Sequence, residues 1–147
     1  MDFQVIIDNL PLYFQGLRVT IVLVVSSLAL GLCLALPIAL LATSKNRWVS
    51  MVPKAYIYFF RGTPLLVQMF MIYHGMGQFE AVHESFLWVI FKQAYACALL
   101  AFALNTAAYT AEILRGTIEQ TAFGEIEAAK ACGMSKALIY RRIILPS

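Results

Sequence analysis

The sequence predicts an all-α integral membrane protein that forms one domain over residues 1–147. Hydrophobic residues make up 61% of the chain and charged residues 13%, whereas about a quarter of the residues in soluble domains are charged. Three runs are apolar enough for spanning helices, which need about 20 residues each, and most charges lie between and after them. The net charge of +3 is scattered along the chain, which argues against the basic stripe of a nucleic-acid-binding protein.

The first predicted span is the uncharged run from Val19 to Ser44. Within it, Ser27, Gly31 and Ala35 recur every four residues and therefore share one face of a helix. Small side chains on such a face let the backbone of a neighbouring helix approach closely. We therefore expect this face to be a contact between helices.

The second predicted span covers residues 62–79 and carries the amide of Gln68 among apolar neighbours. A polar group without a partner in a membrane is costly, so Gln68 should face other helices or a water-filled path. It could form a hydrogen bond between helices or contact a transported solute. The segment 61–64, Arg-Gly-Thr-Pro, could form a helix entrance at the cytoplasmic side in which Arg61 faces lipid headgroups or a partner, or it could simply anchor the interface.

The third predicted span covers residues 88–111, and its end is unusually polar. Asn105 and Tyr109 share one helix face, and Thr106 and Thr110 share another, because residues four apart are neighbours on a helix. These side chains could border a translocation path. They could equally bond to the backbone and to neighbouring helices in a static bundle.

The distribution of Lys and Arg predicts which loops face the cytoplasm, where these residues are retained. The connector 45–61 holds four basic residues and no acid, and the region 112–147 holds five basic residues. By contrast, the N-terminus and the loop after the second span carry more acids than bases. We therefore expect the N-terminus outside and both basic regions in the cytoplasm.

The region 112–147 is too polar to span a membrane. Its segment 125–132 is rich in helix formers, and Gly133 can end a helix in the left-handed conformation. Ser135 can then cap a second helix that runs to Ile144. The pattern predicts a cytoplasmic helical hairpin, and a plain solvated hairpin is its simplest interpretation.

One ordered set of residues in this hairpin is more specific. A glutamate and two alanines are followed after three residues by a glycine, after nine more by an isoleucine, and then by leucine and proline. The set resembles the EAA loop of permease subunits in bacterial ABC importers and consists of Glu127, Ala128, Ala129, Gly133, Ile143, Leu145 and Pro146. The stretches "FRGTPLLVQMFMIYHGMGQF" and "LNTAAYTAEILRGTI" are similar to permeases for polar amino acids. The branch for arginine and other basic amino acids resembles the chain best, partly through "IYHGMGQF".

The resemblance implies a MetI-like fold of five spanning helices in a bacterial inner membrane, so we expect a chain truncated after the EAA loop. The loop would be a coupling helix seated in a groove of an ATP-binding ABC subunit. Further implied partners are a second permease subunit, identical or different, an extracytoplasmic amino-acid-binding protein and membrane lipid. The solute would cross unchanged while the separate subunit hydrolyses ATP, so neither enzymatic activity nor a cofactor is expected of this chain.

Other classes of function leave little trace in the sequence. It contains no phosphate-binding loop, no HExxH and no G-x-S-x-G motif. His74, His83 and Glu84 do not have the spacing of metal ligands. The rival hypotheses are an integral-membrane enzyme that uses polar residues around Asn105 and Glu112, and a structural membrane partner that moves nothing. Glu112 could also attract a cationic solute, or it could be a solvated acid at a helix end.

Overall fold

The computed structural model describes residues 9–75, 78, 84, 91–120 and 123–144. Within these residues every regular element is helical, which confirms the all-α prediction. The elements in chain order are α1 (Leu10–Ala42), α2 (Arg47–Gly62), α3 (Leu65–Phe70) with a π-helical turn (Met71–Gly75), α4 (Ala94–Gln120), α5 (Phe123–Ala131), and α6 (Lys136–Ile139) with a second π-helical turn (Tyr140–Ile144).

Two of these helices, α1 and α4, are long and apolar enough to cross a membrane by length and composition. The segment Leu65–Gly75, which joins α3 to its π-helical turn, is apolar but shorter. At 1.5 Å per residue it rises only about 16 Å, against a hydrocarbon core of about 30 Å. The far end of the predicted second span and the start of the predicted third lie largely outside the described residues. The middle crossing therefore stays a prediction.

Helix α1 begins well before the predicted first span, 19–44. It starts at Leu10, with Pro11 in its first turn. Proline lacks a backbone N–H, but the N–H groups of the first turn have no hydrogen-bond partner within the helix, so nothing is lost there. Arg18, whose charge set the predicted boundary, is exposed within the helix. A charge thus limits the apolar run without ending the helix.

Helix α4 also extends beyond its predicted span, 88–111, but at the C-terminal end. Its first residue is Ala94, and it continues without a break to Gln120. Glu112, which was expected to open the aqueous region, therefore lies inside the helix. Glu, Leu, Arg and Gln all favour helix, so the change in polarity after Ala111 does not change the backbone.

Helix α2 occupies what the sequence analysis treated as a connector. It is 16 residues long, and the Oδ1 atom of Asn46 accepts a hydrogen bond from the backbone N–H of Trp48 at 3.1 Å, which caps its first turn. Ser50, Pro53 and Ile57 form its buried stripe. This three-and-four spacing was the available signal in the sequence, but the widely spaced basic residues obscured it.

The main contact of the molecule is between α1 and α4. Every buried residue of α1 is small, and the buried residues of α4 are small as well. On α1 these residues are Ser27, Gly31, Ala35, Ala39 and Ala42; on α4 they are Cys97, Ala101, Ala103, Ala107, Ala108 and Ala111. The predicted contact face of α1 is confirmed and extends two turns further.

The two helices approach each other closely at Gly31. A Cβ atom added there would lie 2.8 Å from both the Cβ and the Cγ2 of Thr106, and 3.0 Å from the backbone oxygen of Ala103. Such distances are shorter than carbon atoms tolerate. Gly31 is therefore required for the two backbones to come this close.

Helix α2 packs across the end of this pair. Its Ile57 is buried in one cluster with Ala35, Ala39, Ala42 and Ala111. Next to it in the sequence, the hydroxyl of Tyr56 donates a hydrogen bond to the backbone oxygen of Leu104 at 2.6 Å. Helices α1, α2 and α4 thus form one packed unit, which positions the residues described next.

Candidate functional site

A break in the helix separates α2 from α3. Thr63 and Pro64 are extended, with ψ of 139° at both residues, because the proline ring disfavours helical conformation in the residue before it. The Thr63 hydroxyl donates to the Phe59 oxygen at 2.9 Å. The last carbonyl groups of α2 have no helical donors beyond the break and need partners from elsewhere.

Gln68 supplies those partners from the first turns of α3. Its Nε2 atom lies 2.8 Å from the Phe60 oxygen, 2.9 Å from the Thr63 oxygen and 2.8 Å from the Thr63 hydroxyl. On its other side, the Oε1 atom accepts a hydrogen bond from Nδ2 of Asn105 on α4 at 3.1 Å. The side chain is only 2% exposed. Gln68 therefore caps one helix and bridges to another.

Of the two interpretations offered for Gln68, the geometry matches the hydrogen bond between helices. Its amide has two N–H groups and one oxygen, and all of them face protein atoms. Among the described residues, no buried side-chain nitrogen or oxygen is left without a partner. Gln68 and Asn105, two of the predicted path residues, are brought together although they are far apart in the sequence.

The other predicted path residues have different surroundings. Thr106 faces Gly31 inside the contact between α1 and α4. Tyr109 is 46% exposed, and the guanidinium of Arg61 lies 5.7 Å from the centre of its ring. Thr110 is partly buried. The five residues therefore do not line one common surface, and their role in a path stays a prediction.

A network of charges ties the end of α2 to α4. The Arg61 guanidinium lies 3.1 Å from Oε1 of Glu112. Arg115 donates to both carboxylate oxygens of Glu112, at 2.8 and 2.9 Å, and to Glu119 at 2.6 Å. The Glu112 side chain is 25% exposed. It lies inside α4 and is paired, so the interpretation as a solvated acid at a helix end is wrong. The attraction of a cationic solute stays a prediction.

This network lies beyond the uncharged part of α4 and sets the ionisation of Glu112. Hydrogen bonds from Arg115 lower the pKa of Glu112, and the charges of Arg115 and Arg61 act in the same direction against desolvation. The same contacts raise the pKa of Arg115. Glu112 therefore stays ionised at neutral pH and holds two guanidinium groups.

Sequence reasoning missed this network, although part of its signal was present. Glu112, Arg115 and Glu119 are spaced three and four residues apart, which places charged side chains together on a helix. The pairing with Arg61 depends on the packing of α2 against α4 and has no signal in local spacing.

The predicted helical hairpin is formed by α5 and α6, and Gly133 makes the turn between them. Gly133 has a φ of 78°, the left-handed region that favours glycine. Its N–H donates to the Lys130 oxygen at 2.9 Å, and the N–H of Met134 donates to the Ala129 oxygen at 3.1 Å. These two bonds define a Schellman motif, as the sequence predicts for a glycine at this position.

The residues of the EAA set divide between the inside and the outside of the hairpin. Ala129 is 5% exposed and packs against Ile139, which is 3% exposed. Glu127 and Ala128 are exposed to solvent. The partly buried residues around the inner pair are Ile118, Ile126, Met134 and Ile143. Leu145 and Pro146 lie outside the described residues. The hairpin thus keeps Ala129 for its own core and presents Glu127 and Ala128 outward.

Helix α4 connects the two parts of the site. It carries Asn105, the partner of Gln68, and it also carries Ile118, which packs against the inner pair of the hairpin. The two positions are about 20 Å apart at 1.5 Å per residue, with no break between them. A displacement of the hairpin can therefore reach the helix break through one continuous element.

In the residues that the structure describes, no three His, Cys, Asp or Glu side chains come together as a group that could hold a metal ion. His83 lies outside those residues, so the expectation about His74, His83 and Glu84 stays an expectation.

Comparison with known proteins gives consistent matches. The profile of the family described as "Binding-protein-dependent transport system inner membrane component" matches residues 27–147. The chain is 49% identical over 147 residues to the nopaline transport system permease protein NocM of Agrobacterium fabrum, an alignment that covers 99% of this chain and 61% of that protein. It is 43% identical over 135 residues to the histidine/lysine/arginine/ornithine transport system permease protein HisM of Escherichia coli, covering 91% of this chain and 57% of that protein.

The fold is also similar to a solved structure. A crystal structure of an amino acid ABC transporter with histidines matches with a TM-score of 0.81 at 34% identity, over 99% of this chain and 64% of that one. The chain thus spans about three fifths of the length of the curated relatives it matches.

Proposed function

The chain belongs to the family of binding-protein-dependent transport system inner membrane components, and from this premise we propose that its full-length subunit is the permease of an ATP-driven importer for polar amino acids. The family match and the structural likeness confirm the MetI-like helical fold and a membrane location. They also agree with the resemblance that the EAA set carries. The proposal concerns the activity, solute and partners of the whole subunit.

We further propose arginine or another cationic amino acid as the solute. The name of the Escherichia coli relative includes lysine, arginine and ornithine, whose side chains are cations at neutral pH. The chain is 43% identical to that relative. An uptake assay in which arginine, lysine and glutamate compete for transport tests this part separately, and stronger competition by glutamate than by lysine contradicts it.

One observation carries the mechanism: α4 is continuous from the Gln68–Asn105 bridge to the hairpin. In the proposed importer, a separate ABC subunit binds and hydrolyses ATP, and its closure moves the hairpin. The exposed Glu127 and Ala128 form the contact with that subunit. Because Ala129 and Ile139 pack the hairpin onto Ile118 of α4, the displacement passes into the membrane helices.

The remaining partners complete the cycle. An extracytoplasmic binding protein delivers the amino acid, and a second permease subunit supplies the other half of the path. The N-terminus of this chain lies outside and the hairpin lies in the cytoplasm, in line with the distribution of Lys and Arg. Coupling requires that ATP-bound and ATP-free states make different contacts with the hairpin, which an exposed charged surface on a rigid turn can provide.

The test is Glu127→Ala in the full-length subunit, reconstituted in proteoliposomes with its ATPase, second permease and binding protein. We expect uptake to fall by about tenfold, because one lost charge-assisted contact is worth roughly 1.5 kcal/mol, while ATP hydrolysis continues without transport. Glu125→Ala is the matched control, since it removes the same charge from an exposed position on another face of α5. Equal uptake in both variants and the wild type contradicts the coupling role.

A further inference from the structure

The outward face of α2 is not used by the proposed coupling mechanism. Its buried stripe fixes the orientation of the helix, because Ser50, Pro53 and Ile57 face the rest of the protein. The rest of its surface exposes large apolar, aromatic and basic side chains. Trp48 is 83% exposed and Tyr58 is 84% exposed. A polar solvent is a poor environment for such a surface.

Basic residues on this face lack acidic neighbours. No Asp or Glu occurs between residues 45 and 61. Arg61 is engaged with Glu112, whereas Arg47 and Lys54 form no ion pair within the described part of the chain. Their charges are therefore available to a ligand.

Arg47 and Lys54 lie seven residues apart, which places them on the same side of α2, about 10 Å apart along its axis. A groove of about 540 Å³ lies along this side and is lined by Arg47, Ser50, Met51, Lys54, Ala55 and Tyr58. Its lining combines two cationic side chains with apolar side chains and one aromatic ring. A ligand that fits it carries negative charge next to apolar groups.

The place of α2 in the chain narrows the choice of ligand. It begins shortly after α1 ends at Ala42 and ends shortly before the apolar α3 begins at Leu65. In the proposed function both flanking segments enter the membrane, so the helix between them lies at the level of the membrane surface. Exposed Trp and Tyr rings are enriched at that level, and basic amphipathic helices bind anionic lipid there.

We propose that the groove on α2 binds the phosphate headgroup of an anionic phospholipid of the cytoplasmic leaflet, with Arg47 and Lys54 as its cationic ligands. The acyl chains lie along the apolar side chains that line the groove, including Met51, which is 61% exposed. A free phosphate ion would gain nothing from those apolar groups. The inference rests on the cytoplasmic orientation in the proposed function and adds a ligand that the transport cycle does not require.

The experiment uses the full-length subunit in its purified complex after delipidation. Native mass spectrometry counts bound phosphatidylglycerol and phosphatidylcholine at equal added concentrations. Each basic side chain near an anionic surface contributes about 1 kcal/mol, so for two such side chains we expect roughly a thirtyfold preference for phosphatidylglycerol in the wild type. In the double variant Arg47→Gln/Lys54→Gln the preference falls to about twofold or less.

Two further variants make the outcome specific. Arg18→Gln/Lys92→Gln removes the same number of charges from exposed positions elsewhere and keeps the preference. Arg47→Lys/Lys54→Arg keeps both charges and also keeps it. If the Gln double variant does not assemble, the same measurement on the single variants Arg47→Gln and Lys54→Gln decides, with an intermediate preference expected for each.

Several results would overturn the proposal. These are equal binding of both lipids by the wild type, an unchanged preference in the Gln double variant, and displacement of phosphatidylglycerol by inorganic phosphate at similar concentration. Loss of a protein subunit from the Gln double variant with an unchanged lipid count would instead assign the face to an acidic protein surface. Amino acid uptake, measured in parallel, reports on the proposed transport function and is independent of the lipid count.

Discussion

At the scale of single residues, Gln68 has two roles that its position in the sequence only partly predicts. An amide within an apolar run must find a partner, and this much follows from the cost of burying polar groups. That its partners include Phe60 and Thr63 follows from the break at Pro64, which leaves carbonyl groups of α2 unbonded. The choice of Asn105 depends on the packing of α4 against α3 and could not be read from local sequence.

Substituting Gln68 tests this bridge. In Gln68→Ala, Asn105 loses its acceptor and the Phe60 and Thr63 carbonyls lose their donor. Each buried polar group left unpaired costs about 1–3 kcal/mol, so the loss should be at least that of one such group. We expect the free energy of unfolding of the full-length subunit in mixed micelles to fall by at least that amount.

The control for this prediction is Gln93→Ala, which removes an exposed amide just before α4 and should change the free energy of unfolding by less than about 0.5 kcal/mol. A double-mutant cycle with Asn105→Ala isolates the bond between helices, with an expected coupling of about 0.5–1.5 kcal/mol. Additive effects of the two substitutions would show that the bond contributes nothing.

At the scale of elements, the contact between α1 and α4 was the most predictable feature. Ser27, Gly31 and Ala35 recur every four residues, and a surface of small side chains has few uses other than close helix packing. Helix α2 was harder to recognise, because four basic residues made its segment look like a connector. Its amphipathic spacing becomes informative only when a partner surface exists to bury Ile57.

Enlarging Gly31 should separate these two helices. In Gly31→Ala the new Cβ meets Thr106 at 2.8 Å and the Ala103 carbonyl at 3.0 Å. Overpacking of this kind typically costs about 1–3 kcal/mol. We expect a corresponding loss in the free energy of unfolding, measured in mixed micelles, and a faster exchange of backbone amides in α1 and α4.

Gly16→Ala in the same helix is the matched control, because no heavy atom lies within 4 Å of a Cβ at Gly16, and it should leave the protein as stable or slightly more stable. Thr106→Gly removes both of the close side-chain atoms and should restore part of the loss caused by Gly31→Ala. If the two glycine substitutions destabilise equally, the close approach at Gly31 does not contribute to packing.

At the scale of the whole molecule, the hairpin motif was predictable and its connection to the membrane helices was not. Gly133 after a run of helix formers predicts a helix that ends in the left-handed conformation. That α4 runs on past Glu112 to support the hairpin through Ile118 was missed, because the charges after Ala111 indicated the end of a span. The polarity of a segment indicates whether it lies in lipid or in water, whereas the helix propensity of its residues determines where the helix ends.

Breaking α4 between its two functional ends tests whether that continuity matters. Ile113 is 68% exposed, so its replacement removes little packing. Proline inside a helix costs about 3 kcal/mol and kinks the backbone. In the reconstituted full-length complex, we expect Ile113→Pro to reduce amino acid uptake by at least about tenfold while ATP hydrolysis continues.

Ile113→Ala provides the comparison, since it shortens the same side chain and keeps the helix; its uptake should stay close to that of the wild type. Hydrogen exchange of the amides in α5 and α6 reports whether the hairpin itself remains folded in the proline variant. Wild-type uptake by Ile113→Pro would show that coupling does not travel through an unbroken α4.

The crowded crossing at Gly31 and Thr106 has a mechanical consequence for α4. It can act as a fulcrum, because Thr106 leaves no room for a Cβ atom at Gly31. Asn105 is adjacent to this point, while Gln120 lies about 21 Å beyond it. A tilt of about 10° about this fulcrum swings the distal end by roughly 4 Å and hardly shifts Asn105. A displacement of the hairpin would therefore rotate α4 at the Gln68–Asn105 hydrogen bond more than it would translate it. Such a rotation can reorient hydrogen bonds while the helices stay packed.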